Sequence, residues 1–199
     1  TQQAGIEDNG GWSSGVLFGD VNNDGHLDIY VTRELYDHQP ELRRNKLYLN
    51  TFGKTGKIGF EEASAQYGVD NSERTRHATF LDYDKDEELD LFLINNSMES
   101  YPRNSPIGQS KDGRGKSVDR LYRIEGLDEN GLPKFVNVSE TAGILIEGWS
   151  LGVAVVDINE DNYPDLYIAN DFLSNDLLYV NQRDGTFRNE ITDYFKHQS

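Results

Sequence analysis

The chain contains no cysteine, which excludes disulfides, thiolate zinc sites and cysteine catalysis together and leaves the redox compartment unreadable. Basic residues are scarce: 19 Lys and Arg stand against 35 Asp and Glu, a formal net charge of −16. Such a surface repels nucleic acid and anionic membranes, which argues against phosphate-backbone binding. No apolar stretch approaches the ~18 residues of a membrane span, and the opening TQQAGIEDNG lacks the basic-then-apolar pattern of a secretion signal. What remains is a globular composition, 36% apolar with 9 Phe, 11 Tyr and 2 Trp, enough large side chains to bury a core. The surplus acid is then either solvated or neutralised by bound cations.

Internal repetition organises the rest. Three segments align without gaps: GWSSGVLFGDVNNDGHLDIYVT (11–32), ERTRHATFLDYDKDEELDLFLI (73–94) and GWSLGVAVVDINEDNYPDLYIA (148–169). Each is followed by a Leu-Tyr element (NKLYLN, DRLYRI, DLLYVN at 45–50, 119–124 and 176–181) and by a segment opening at Phe60, Phe135 or Phe187. Short β-branched and aromatic runs separated by Gly, Asn and Asp turn signals predict four strands per unit, with no sustained helical period. The expected fold is all-β: tandem four-stranded antiparallel blades, about three blades of a seven- or eight-bladed β-propeller. Insertions concentrate between the second and third strands, chiefly at 95–118, a pattern that maps to one face of a repeat assembly, often the binding face.

The opening Thr1-Gln2-Gln3-Ala4-Gly5-Ile6 matches Ser64–Val69 and Ser139–Ile144, which close the first two repeats. The expectation is therefore that residues 1–10 are the tail of a preceding blade, the chain starting inside its last strand. Blades then follow at 11–72, 73–147 and 148–196, and 197–199 start another. Three blades do not close a ring of four to eight, so a segment of a longer propeller is expected.

The acidic loops are DVNNDGHLD (20–28), DYDKDEELD (82–90) and DINEDNYPD (157–165), all of the form D-x-[DN]-x-[DN]-x-x-x-D. Calcium takes six to eight hard oxygen ligands. Side chains at positions 1, 3, 5 and 9 would supply them: Asp20, Asn22, Asp24 and Asp28; Asp82, Asp84, Asp86 and Asp90; Asp157, Asn159, Asp161 and Asp165. Position 7 (His26, Glu88, Tyr163) would add a backbone carbonyl. An EF-hand is excluded, because its twelfth-position Glu is here Val31, Leu93 or Ile168 and its flanks here read as strands. Asx-rich turns without an ion are the plainer alternative for any one loop. Three in register, one with four carboxylates, favour up to three Ca²⁺. Glu87, where a Gly would ease the turn, counts against the second loop.

The acidic loop inside a strand pair, the Leu-Tyr element and the closing Phe together resemble the FG-GAP/VCBS-type repeats also seen in integrin α-subunit propellers. The third unit looks most like blades of bacterial ASPIC/UnbV-type, cartilage-acidic-protein-like chains. The resemblance implies an exported, extracellular or outer-surface protein in which calcium stiffens the blade hairpins. It says little about activity. A non-enzymatic module binding a protein or glycan ligand, or the remaining blades of a larger chain, is the favoured function. The alternative is part of a calcium-dependent polysaccharide lyase, for which His77, Arg74 and Arg76 form the only dense candidate set. Trp12 and Trp149, at equivalent positions, are expected between blades rather than stacked on a sugar. Asn170-Asp171 and Asn175-Asp176 are expected as turn residues.

Overall fold

The computed structural model describes residues 2–7, 10–97, 109–129, 132–171 and 174–196. Its strands are β1 (Trp12–Gly19), β2 (Asp28–Glu34), β3 (Lys46–Asn50), β4 (Phe60–Glu62), β5 (Thr75–Leu81), β6 (Asp90–Asn95), β7 (Arg120–Leu127), β8 (Pro133–Asn137), β9 (Ser150–Val156), β10 (Asp165–Asn170), β11 (Leu177–Asn181) and β12 (Phe187–Asn189). They form three four-stranded sheets, each an antiparallel meander in chain order: β1–β4, β5–β8 and β9–β12. The protein is all-β, and each sheet is drawn from one sequence repeat.

Registers repeat as closely as the sequences do. Each first hairpin carries one unpaired extra residue: Ser14, Arg76 or Leu151, at matching places before the acidic loop. A bulge bends and twists its strand, so the three hairpins share the same curvature. The first strands are neighbours, β5 lying against both β1 and β9. Gly15 on β1 approaches His77 of β5 so closely that an added Cβ would lie 2.9 Å from the imidazole Nδ1.

The core lies between the sheets. Tyr30, Leu47 and Leu49 of the first sheet pack with Ala78, Leu91, Leu93 and Tyr122 of the second. On the opposite side, Leu81, Phe92, Ile94 and Leu121 pack with Leu166, Ile168, Leu177 and Tyr179 of the third. The middle sheet is thus covered on both faces, which is why β6 reads as the near-unbroken apolar run DLFLIN and is buried throughout. Trp149 is buried as expected, but Trp12 is 55% exposed. Val16 and Phe18 of β1 are exposed as well.

The segments closing the first two repeats, and the matching opening residues, are helical turns, which corrects the expectation that the chain starts within a strand. Gln2–Ala4 is a 3₁₀ turn, Ser64–Tyr67 is a single α-helical turn (α1 here) and Ser139–Gly143 is a hydrogen-bonded turn. The reason is the glycine that ends each: Gly5, Gly68 and Gly143 sit at φ of 76°, 75° and 81°, a left-handed conformation that stops a helix and is open to Gly without penalty. These turns pack on the next fourth strand. A Cβ on Gly68 would lie 3.0 Å from the Phe135 carbonyl oxygen, and one on Gly143 2.7 Å from that of Phe187.

Candidate functional site

The three acidic loops join β1 to β2, β5 to β6 and β9 to β10, and all fold by one hydrogen-bond scheme. The position-1 carboxylate accepts from the backbone N–H groups of positions 5 and 6: Asp20 from Asp24 (3.0 Å) and Gly25 (2.7 Å), Asp82 from Asp86 (3.1 Å) and Glu87 (3.3 Å), Asp157 from Asp161 (3.0 Å) and Asn162 (2.9 Å). The position-5 carboxylate accepts from position 7, where His26, Glu88 and Tyr163 donate at 2.9, 2.9 and 2.8 Å. The position-9 carboxylate reaches back to position 2: Asp28 accepts from Val21, Asp90 from Tyr83 and Asp165 from Ile158. Such winding needs left-handed residues at positions 4 and 6. Asn23, Lys85 and Glu160 occupy the first, Gly25, Glu87 and Asn162 the second, all with positive φ.

Glu87 therefore adopts, at φ 71°, the conformation that Gly25 takes without cost. A left-handed Cβ costs about 1–2 kcal/mol, partly offset by the greater unfolded-state freedom of Gly. Glu87→Gly is expected to raise stability by about 0.5–1 kcal/mol in denaturant titrations. A lower or unchanged midpoint would show that this turn is not strained.

The loops differ where their sequences do. In the first and third, the position-3 amide closes the ring of charge: Asn22 Nδ2 donates to Asp24 (3.2 Å) and Asn159 Nδ2 to Asp161 (3.0 Å). Asp84 of the second loop has no proton to give when ionised. Ligand oxygens of Asp82, Asp84 and Asp86 lie within 4.8 Å of one another, the one such acidic or His group among the described residues. Position 9 differs too. Asp28 and Asp165 each accept a second N–H from the third strand, from Asn50 (2.7 Å) and Asn181 (2.8 Å). The matching backbone N–H in the second unit, that of Ile124, makes no such bond, and the buried Oδ1 atoms of Asp90 and Asp84 find no hydrogen-bond partner among the described residues.

Electrostatics follow that geometry. Burial pushes the Asp90 carboxyl up to about 8, against the Tyr83 N–H and with the help of Asp84, Asp86 and Asp82. Burial raises Asp28 to about 6 against the Asn50 and Val21 N–H groups, and raises Asp165 and Asp84 as well. Three clustered carboxylates, one of them Asp84 with a buried unpartnered oxygen, beside the unpartnered buried oxygen of Asp90 make the donor set of a hard cation, which the second loop therefore fits by its chemistry. Arginines that sequence reasoning missed reach two of the loops. Arg123 lies 3.8 Å from Asp84 while pairing with Glu125 at 2.5 Å, and Arg183 lies 3.5 Å from Asp161. Their counterparts beside the first loop are Leu49 and Phe52, so no alignment of the Asp positions would have revealed them.

The lyase candidates do not converge on one cavity. Arg74 lines a pocket with Asp37 and Arg43. Arg76 is instead held by both Glu34 oxygens at 2.9 and 3.1 Å, and His77 Nδ1 accepts the Ala78 N–H. Asn170 and Asp176 close a turn, Asp176 accepting the Asn170 N–H at 2.8 Å; residues 172–173 lie outside the described set. Comparison with known proteins adds no assignment: no family model matches the chain, and no curated protein matches it.

Proposed function

We propose that the chain is a calcium-stabilised segment of a β-propeller, serving as a non-enzymatic binding module of an exported or surface protein. The observation that carries the calcium reading is the second loop, where Asp82, Asp84 and Asp86 cluster and the buried Oδ1 atoms of Asp84 and of neighbouring Asp90 have no hydrogen-bond partner among the described residues. Leaving such charges uncompensated opposes folding, and a divalent cation offsets them. Loops one and three share its backbone winding and are assigned the same ion. The propeller reading is supported by three meanders with equivalent bulges and adjacent first strands. The surface role rests on the resemblance to FG-GAP/VCBS-type repeats.

Calcium titration by calorimetry tests this. Three ions per chain are expected, with magnesium failing to compete at equal concentration, because it seldom accepts so many protein ligands. Arg123→Gln is expected to tighten the second site several-fold by removing a competing cation near Asp84. Absence of any calcium heat, together with an unchanged melting curve, would overturn the proposal.

A further inference from the structure

We infer that the outer faces of the first and third sheets are two halves of one interface, through which the chain binds a second copy of itself head to tail. Phe195 caps the third-sheet half until the incoming copy displaces it. The inference rests on the reading of the sheets as consecutive blades. Within the chain the contact between neighbouring sheets is built twice, and each outer sheet carries one unused half of it.

The first half lies on β1. Val16 and Phe18 pair with Val31 and Ile29, as Ala78 and Phe80 of β5 pair with Leu93 and Leu91. In the second sheet that side meets the first: Ala78 is buried, and Phe80 stands edge-on to Tyr30 with ring centroids 6.3 Å apart. Leu17 packs into the core between these two sheets, so its neighbours Val16 and Phe18 point the other way. They are 54% and 60% exposed. Leu27 is exposed too, whereas its counterpart Leu89 meets Gly19 of the first sheet, where an added Cβ would lie 3.3 Å from it. Large apolar side chains exposed together on a chain of net charge −16 mark a contact surface.

The third sheet shows what fits there. Tyr167 is the counterpart of Tyr30, and Phe195 stands edge-on to it at 5.9 Å and 73°, much as Phe80 stands to Tyr30 at 68°. Phe195 thus imitates, from within the chain, the ring that a following sheet would bring. The repeat breaks at this point: FRNEITDYF places Phe195 where the other units have Gly68 and Gly143, and its backbone is extended, not left-handed. The third sheet need not bring the turn those glycines make, because Gln2–Gly5 already lies against the Phe60 carbonyl of the first. The polar link between sheets is split in the same way. Asn45 Nδ2 donates to Thr75 Oγ1 at 3.1 Å, and Ser150 Oγ to Asp119 at 2.9 Å. Ser13 aligns with Thr75 and Ser150, and Asp176 with Asn45 and Asp119. Ser13 is exposed, and Asp176, which accepts from the Asn170 N–H and the Tyr167 hydroxyl, keeps acceptor capacity on both oxygens. Docking by the geometry of the repeat sets Phe18 of one copy on Tyr167 of the other, and Ser13 beside Asp176.

Sedimentation across concentration, in calcium-containing buffer, tests this. The parent is expected to dimerise weakly and stop there, because two copies bring six sheets, within the four to eight that close a ring. Phe195→Ala is expected to dimerise about ten-fold more tightly, since the cap no longer competes with the incoming Phe18. Adding Phe18→Asp is expected to abolish dimerisation while the melting temperature holds, the side chain being exposed. A monomeric Phe195→Ala protein would overturn the inference and leave the β1 face to a sheet of a different chain. Dimerisation that Phe195→Ala leaves unchanged would place first sheet on first sheet and overturn the head-to-tail arrangement. Dimers that survive Phe18→Asp would overturn the location, and growth into open polymers would overturn the closed pair. Calcium heat reads the proposed function separately: three ions bound to a monomer would sink this inference alone, and a dimer that takes no calcium would sink the calcium reading alone.

Discussion

Calcium-free protein is expected to lose stability as pH rises from about 5 to about 8.5, while calcium-saturated protein loses far less over the same interval. The sign follows from Asp90, whose folded pKa of about 8 lies above the ordinary carboxyl value of 3.8. Its folded-state stabilisation is complete below about pH 4, where the carboxyl is neutral in both states, and is lost as pH rises through about 8. A separation of about four units corresponds to on the order of 5 kcal/mol by pH 8. Asp28, raised to about 6, acts in the same direction over a lower window. Bound calcium requires the ionised carboxylates, so the loaded protein and the unfolded chain carry the same protons at these sites above about pH 5. That portion of the slope then vanishes. Asp119, buried between sheets two and three and raised to about 7 by burial, titrates with or without calcium. The gap between the two melting curves therefore isolates the loops. It should widen to about 10 °C or more at pH 8, and parallel curves would show that the carboxylates are not ion ligands.

Much of this arrangement was legible in the sequence because it repeats. The acidic loops fix where each first hairpin turns, and the unbroken apolar run Leu91–Ile94 marks a strand buried on both faces. The closing turns are hidden in the sequence because SAQYG and SETAG are too short to show a helical period. Gly68 and Gly143 carried the signal, and only a left-handed stop explains them. Less visible still was the polar link that repeats between sheets. Asn45, Asp119 and Asp176, each the residue just before its third strand, accept the N–H of Arg33, Asn95 and Asn170 from the second strand. Asn45 and Asp119 also meet the next sheet, at Thr75 and Ser150. In sequence these are ordinary turn residues. Their function depends on which strand lies beside them, and pairing is not a local property.

The same dependence separates residues that look alike in the motif, and it sets the second large effect. Asp90→Asn is expected to stabilise calcium-free protein at pH 8 while destabilising calcium-saturated protein relative to the parent. Without the ion, the change removes a buried charge whose Oδ1 has no described partner. The new amide N–H₂ is itself left unpartnered, at a cost of about 1–3 kcal/mol, so the net gain is on the order of 2–4 kcal/mol. With the ion, a charged ligand is lost and the second site weakens by about 100-fold, so the order of melting temperatures reverses. Asp165→Asn provides the contrast. Both Asp165 oxygens accept backbone N–H groups, from Asn181 at 2.8 Å and Ile158 at 2.9 Å. An amide there sets a donor against a donor, and the variant should melt lower with or without calcium. If Asp90→Asn instead behaves like Asp165→Asn, the buried oxygen of Asp90 is satisfied without a cation, and the second loop is a turn rather than a metal site.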